Sequence, residues 1–225
     1  FTQALALTAG MFAGSAASAD VLFSTTELQF HYGDGFHLGR NGFDTTSRSI
    51  LTLDHFTATT NGELYFFVDL NRDHDGPDTS RETDHYSEIY YKLNGSNFGL
   101  DFGEGGLIKD IGPEFGLNHS TDFLVGVYGL EASLNIPGFQ FVTAGIYAYD
   151  NIVDPFDRDL DTTYIGTIVW NAPFEIGNQK FGFNGFLDVI GDQGSGVDQQ
   201  IIFSPQLRWD IGHAFGGKAD RLNFG

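Results

Sequence analysis

Hydrophobic and polar positions alternate with a period of two along most of this chain, the spacing that puts successive side chains on opposite faces of a strand. The clearest run is Lys180 to Gly191: Phe181, Phe183, Leu187 and Val189 share a face with Gly185, against Gly182, Asn184, Phe186 and Asp188. Glu63 to Asn71 repeats it, with Leu64, Phe66, Val68 and Leu70 against Tyr65, Phe67, Asp69 and Asn71. His85 to Asn94 sets Ile89, Tyr91 and Leu93 against Tyr86, Glu88, Tyr90 and Lys92. Phe139 to Asp150 sets Val142, Ala144, Ile146 and Ala148 against Thr143, Tyr147 and Tyr149. Gln200 to Ile211 sets Ile201, Phe203, Leu207, Trp209 and Ile211 against Ser204, Gln206, Arg208 and Asp210, and Pro205 predicts a bulge in that strand.

Less regular runs predict strands over 25–32, 50–59, 107–117, 123–134 and 162–170, which makes about ten, and another begins near Arg221. Residues 60–62 and 135–138 read as tight turns, whereas 33–49, 72–84 and 150–161 are longer and polar. The long segment 94–106 breaks that alternation of short and long connections. One face of each strong strand is apolar. The other mixes carboxylates with rings, which suits an enclosed polar interior better than a water-facing surface. The predicted fold class is all-β: an antiparallel transmembrane β-barrel.

The first segment changes what that pattern implies. Ala4 to Ala19 is an apolar, small-residue run ending Ala17-Ser18-Ala19, followed by Asp20, and reads as the core and cleavage site of a secretory signal peptide without its basic start. The expected division is therefore 1–19 as leader and 20–225 as one β-domain, incomplete at its C-terminal end. No later stretch approaches the roughly 18 apolar residues of a membrane-spanning helix. A chain of this kind enters a membrane only as a closed barrel, because unpaired strand edges cannot face lipid. The absence of cysteine excludes disulfides and thiolate metal sites. With 11 Lys and Arg against 30 Asp and Glu, and a formal charge of −19, the chain is a poor partner for nucleic acid. Its 23 Phe, 9 Tyr and 30 Gly suit a barrel with aromatic girdles and small residues where strands bend.

The segments Phe66 to Leu70, Pro137 to Asn151, Gly182 to Gly191 and Pro205 to Gly212 come in an order and spacing similar to the Tsx-like, nucleoside-specific channel proteins of the bacterial outer membrane. The resemblance runs from about Thr25 onward. It implies a barrel of about twelve strands in a Gram-negative outer membrane, inserted by the outer-membrane assembly machinery and passing nucleosides through a narrow lumen. It implies no cofactor and no catalysis, and a monomer is expected. This chain would then lack roughly the last strand and a half, including the terminal aromatic residue such barrels use for assembly.

The mixed face supplies the candidate solute-binding residues. Phe67, Tyr90, Tyr147, Tyr149 and Phe186 offer rings for a nucleobase, while Asp69, Glu88, Asp188 and Arg208 offer hydrogen bonds to a ribose. Base–aromatic stacking is worth about 1–3 kcal/mol in single-strand binding, and many modest contacts suit conduction better than one deep pocket. The opposite set, including Phe181, Phe183, Leu187, Val189, Ile201, Phe203 and Leu207, is expected to face lipid.

Other features carry less. Asn71, Asp73, Asp75 and Glu82, with Gly76, match the oxygen spacing of a calcium-binding loop, but Asn stands first, Asp78 occupies an apolar position, and strands flank it. A solvated acidic loop is the plainer reading, and no metal is expected. Asp150, Asp154, Asp157, Asp159 and Asp161 form a second acidic loop without ligand spacing. Seven histidines invite a hydrolase reading, but nothing resembles a nucleophile elbow. The alternatives to a channel are a soluble secreted or periplasmic barrel binding a small apolar ligand, and an outer-membrane lipid-modifying enzyme.

Overall fold

A computed structural model describes residues 19–38, 44–74, 83–103 and 105–225. The leader sequence expected over 1–19 lies outside the described residues except for Ala19. The described chain is all-β, one antiparallel sheet of eleven strands in which every strand pairs with its sequence neighbours. The strands are β1 (Val21–Leu38), β2 (Asp44–Thr59), β3 (Gly62–Asp73), β4 (Thr83–Leu93), β5 (Ile108–Ser120), β6 (Phe123–Leu134), β7 (Phe141–Val153), β8 (Thr163–Ile176), β9 (Gln179–Ile190), β10 (Gln200–Asp210) and β11 (Asn223–Phe224). Gly95–Phe98 forms a 3-10 turn in the long 94–107 connection, and Ile211–Ala214 one helical turn after β10. No described helix is long and apolar enough to cross a membrane.

Several strands run further than alternation alone indicates. β1 and β2 extend across much of 33–49, because Phe36, His37 and Leu38 pair with Thr46, Thr45 and Asp44 past an irregularity after Gly33. β7 begins at Phe141, two residues later than its apolar run, after a turn in which the Phe139 N–H bonds the Ile136 carbonyl. The bulge expected at Pro205 is absent: the β9–β10 ladder runs without a shift from Gln200↔Ile190 to Trp209↔Phe181. Pro205 pairs with Gly185 in that ladder, and a residue without an N–H is accommodated in a strand wherever its nitrogen is not called on by the neighbouring ladder. Pro113 and Pro173 are placed alike, just past the last β4 pair (Lys92↔Glu114) and the last β7 pair (Phe141↔Asn171).

Paired residues of an antiparallel ladder share a face, so register carries the two faces from strand to strand. One runs Leu28↔Leu53↔Val68 and its in-phase neighbours; the other runs Glu27↔Asp54↔Phe67↔Glu88↔Asn118↔Val125. The sheet curls about this second face. Arg208 of β10 donates to Glu27 Oε2 of β1 at 3.0 Å and to Gln29 Oε1 at 3.2 Å. Residues nine strands apart in sheet order are thus in contact on the concave side.

The convex side is apolar and uncovered: Leu28 is 72% exposed, Phe30 71%, Ile201 69%, and Phe115, Leu130, Ile146, Phe203 and Leu207 all stand out. The buried hydrophobic cluster sits on the concave side instead, made of Val125, Val127, Tyr147, Tyr149, Ile165 and Ile190.

Candidate functional site

Register alone brings all nine candidate solute-binding residues to the concave wall. Phe67 pairs with Glu88 and Tyr65 with Tyr90 between β3 and β4, and Asp69 pairs with Tyr86. Tyr147 pairs with Gly129 and Tyr149 with Val127; Ile190, in phase with Phe186 and Asp188, pairs with Ile165, the partner of Tyr147. Arg208 pairs with Gly182 on the same face.

Most of the polar groups are already engaged with the wall. Thr52 donates to Asp69 at 2.6 Å, Thr167 to Asp188 at 2.7 Å, Tyr65 to Asp54 at 2.9 Å, and Tyr86 to Glu88 at 2.6 Å. Tyr90 donates to Asn118 at 2.7 Å and Tyr147 to Glu114. These bonds hold each ring or carboxylate in one direction, since a buried polar group must find a partner. The rings form a chain: Tyr65 and Phe67 lie 6.1 Å apart, Phe67 and Tyr86 5.9 Å, Tyr86 and Phe123 6.3 Å. Phe67, Asp69, Glu88, Phe186, Asp188 and Arg208 are half-buried.

Near the ends of β4 and β6 the wall carries a charge network that alternation by itself does not single out. The Lys92 ammonium, 1% exposed, donates to Ser133 at 2.6 Å and lies 3.3 Å from Asp110, 3.5 Å from Glu131 and 3.8 Å from Glu63. These groups come from four consecutive strands, β3 to β6. The sequence signal was present in the phase: Glu63 and Glu114 fall directly opposite Lys92 on its two sides. Glu131 and Ser133 needed the curvature of the sheet.

Asn71 and Asp73 of the calcium-spaced set lie within β3, while Asp75 and Glu82 lie outside the described residues. Asp73 is taken by Arg48, which grips it from Nε at 2.6 Å and Nη2 at 3.1 Å. In the second acidic loop, Asp154 receives bonds from the Arg158 guanidinium at 2.6 and 3.0 Å and from two backbone N–H groups, which makes it the organiser of that loop. Among the described residues no group of three or more His, Asp or Glu is arranged to hold a metal. Ser49 meets His74 at 2.7 Å and His85 meets His119 at 3.3 Å on the convex side. Thr121, 3.5 Å from His85 Nδ1, donates to Asp84 at 3.0 Å.

Comparison with known proteins finds no matching family model, no matching curated protein and no matching solved structure.

Proposed function

We propose that the curled sheet belongs to a bacterial outer-membrane β-barrel that passes nucleosides or similar small neutral solutes by diffusion. The observation that carries this reading is the inversion of sides. Large apolar side chains stand uncovered around the convex face, while Lys92, Glu114, Asn118 and Thr52 are buried on the concave one. Water would favour the reverse arrangement, and a contiguous uncovered apolar surface of this extent marks contact with lipid or a partner. The similarity of four segments to the Tsx-like channels supports the same reading and supplies the solute class.

The wall chemistry fits an uncharged, flat, hydroxylated solute. Phe67 and Phe186 offer ring faces, and Asp69, Asp188 and Arg208 lie beside them with oxygens and N–H groups for sugar hydroxyls. Carboxylates outnumber basic groups along the wall, so a phosphate would meet like charge in a confined space that focuses the field. Proteoliposome uptake tests this directly: adenosine enters faster than into protein-free liposomes, and adenosine monophosphate enters more slowly than adenosine. Adenosine uptake no faster than into protein-free liposomes would sink the channel reading.

A further inference from the structure

On the concave wall, solvent contact is not uniform. Phe67, Asp69, Glu88, Phe186, Asp188 and Arg208 are half-buried, whereas Val125 is 0% exposed, Val127 2%, Ile165 4% and Ile190 4%. These four lie on β6, β8 and β9, with Tyr147 and Tyr149 of β7 between them, each 6% exposed. Tyr90 of β4 and Phe123 of β6 pack onto the set. All six lie toward the same end of the sheet, near the 154–162 and 191–199 connections, while the Lys92 network lies toward the other end. Of the tyrosine hydroxyls here, Tyr147 bonds Glu114, toward the Lys92 end, and Tyr90 bonds Asn118, the buried cross-strand partner of Val125.

We infer that the packed section centred on Val127, Ile165 and Ile190 is the permeability barrier of the passage, a dry apolar seal that stops ions and admits uncharged solutes with an apolar face. The inference rests on the channel reading and adds the step that selects. A section closed to water and lined mainly by apolar side chains offers few groups to replace an ion's hydration shell, so an ion crosses only by giving most of that shell up. A nucleoside-like solute gives up far less. Its ring replaces side-chain contacts as it enters, and its hydroxyls regain partners on the polar wall beyond.

The test uses the folded full-length protein in liposomes and planar bilayers, with adenosine and potassium chloride as probes. The wild type is expected to speed adenosine entry while conducting few ions. Val127→Ser and Ile165→Ser wet the seal, and ion conductance is expected to rise roughly tenfold, the factor that about 1.4 kcal/mol of barrier represents. Two single substitutions at separate strands guard against one failing to fold, and the wild-type comparison needs neither. A wild type that admits adenosine and also conducts ions freely overturns the seal and leaves the channel standing. The same follows if the wild type admits adenosine alone and both folded variants match it. Passage of neither probe, in wild type or variants, overturns the channel reading itself.

Discussion

Tyr90 lies flat across Gly116, its cross-strand partner, so closely that a Cβ at Gly116 would sit 2.3 Å from Tyr90 Cδ1 and 3.0 Å from Cγ. Tyr147 lies in the same way over Gly145, two residues before it, where an added Cβ would run into the ring and its hydroxyl. Glycine on the concave wall thus makes the shallow seats in which rings lie, with their hydroxyls anchored on β5. The clash at Gly116 involves the root of the ring and not its tip, so a small side-chain adjustment does not relieve it. Gly116→Val is expected to expel Tyr90, break its bond to Asn118 and cost about 1–3 kcal/mol. Denaturant unfolding of the folded protein checks this, and a variant as stable as wild type would show that the ring has another resting place.

Among the described residues Lys92 is the one cation paired with Glu63, Asp110 and Glu131, and it is almost wholly enclosed. Removing one partner of a buried ion pair leaves uncompensated charge, at a typical cost of about 3–5 kcal/mol. Lys92→Met keeps most of the volume and removes the charge, and is expected to lower stability by that order. Combining it with Glu131→Gln should recover part of the loss. No recovery in the double variant would mean that packing of the lysine stem, and not charge, is what the substitution removes.

Phe203 on β10 is 60% exposed on the convex face, opposite Leu187 of β9. In a bilayer, Phe203→Arg is expected to cost roughly 2–4 kcal/mol at mid-depth. In water the same change at an exposed site falls within about 0.5 kcal/mol. Measuring the folding equilibrium in lipid vesicles therefore separates a membrane barrel from a soluble one, and a neutral result in vesicles would place this face outside the hydrocarbon.

The loop after β7 is held through Asp154, whose carboxyl the Arg158 side-chain bonds bring down from the ordinary 3.8 to about 2. A lowered value means the stabilising interaction is complete above the unfolded pKa and is lost as pH falls through the folded one. Order in residues 154–158 is expected to stay constant from neutral pH to about pH 4 and to fade toward pH 2. Amide exchange at Phe156 and Arg158, both donors to Asp154 Oδ2, reports this. Asp154→Asn should abolish the pH dependence, and a transition near pH 6 in the wild type would assign control of the loop to another group.

The sequence by itself determined the strands and the side of the sheet on which each residue falls. A strand's side-chain period is two, a property of a few consecutive residues. The alternation in Glu63 to Asn71 and Lys180 to Gly191 therefore settles that Phe67, Asp69, Phe186 and Asp188 are separated from Leu64, Phe183 and Leu187. Pro205 wrongly predicted a bulge, because whether a ladder needs a residue's N–H is set by its pairing and not by the residue itself. Tertiary structure alone decided which strands face one another. Arg208 meets Glu27 across 181 residues, Lys92 reaches Ser133 and Glu131 two strands away, and Val127, Ile165 and Ile190 join in one dry section. These contacts depend on twist and register summed over many ladders, and small shifts such as those after Gly33, Ile108 and Leu124 move every later strand relative to the first. No window of the sequence contains that sum.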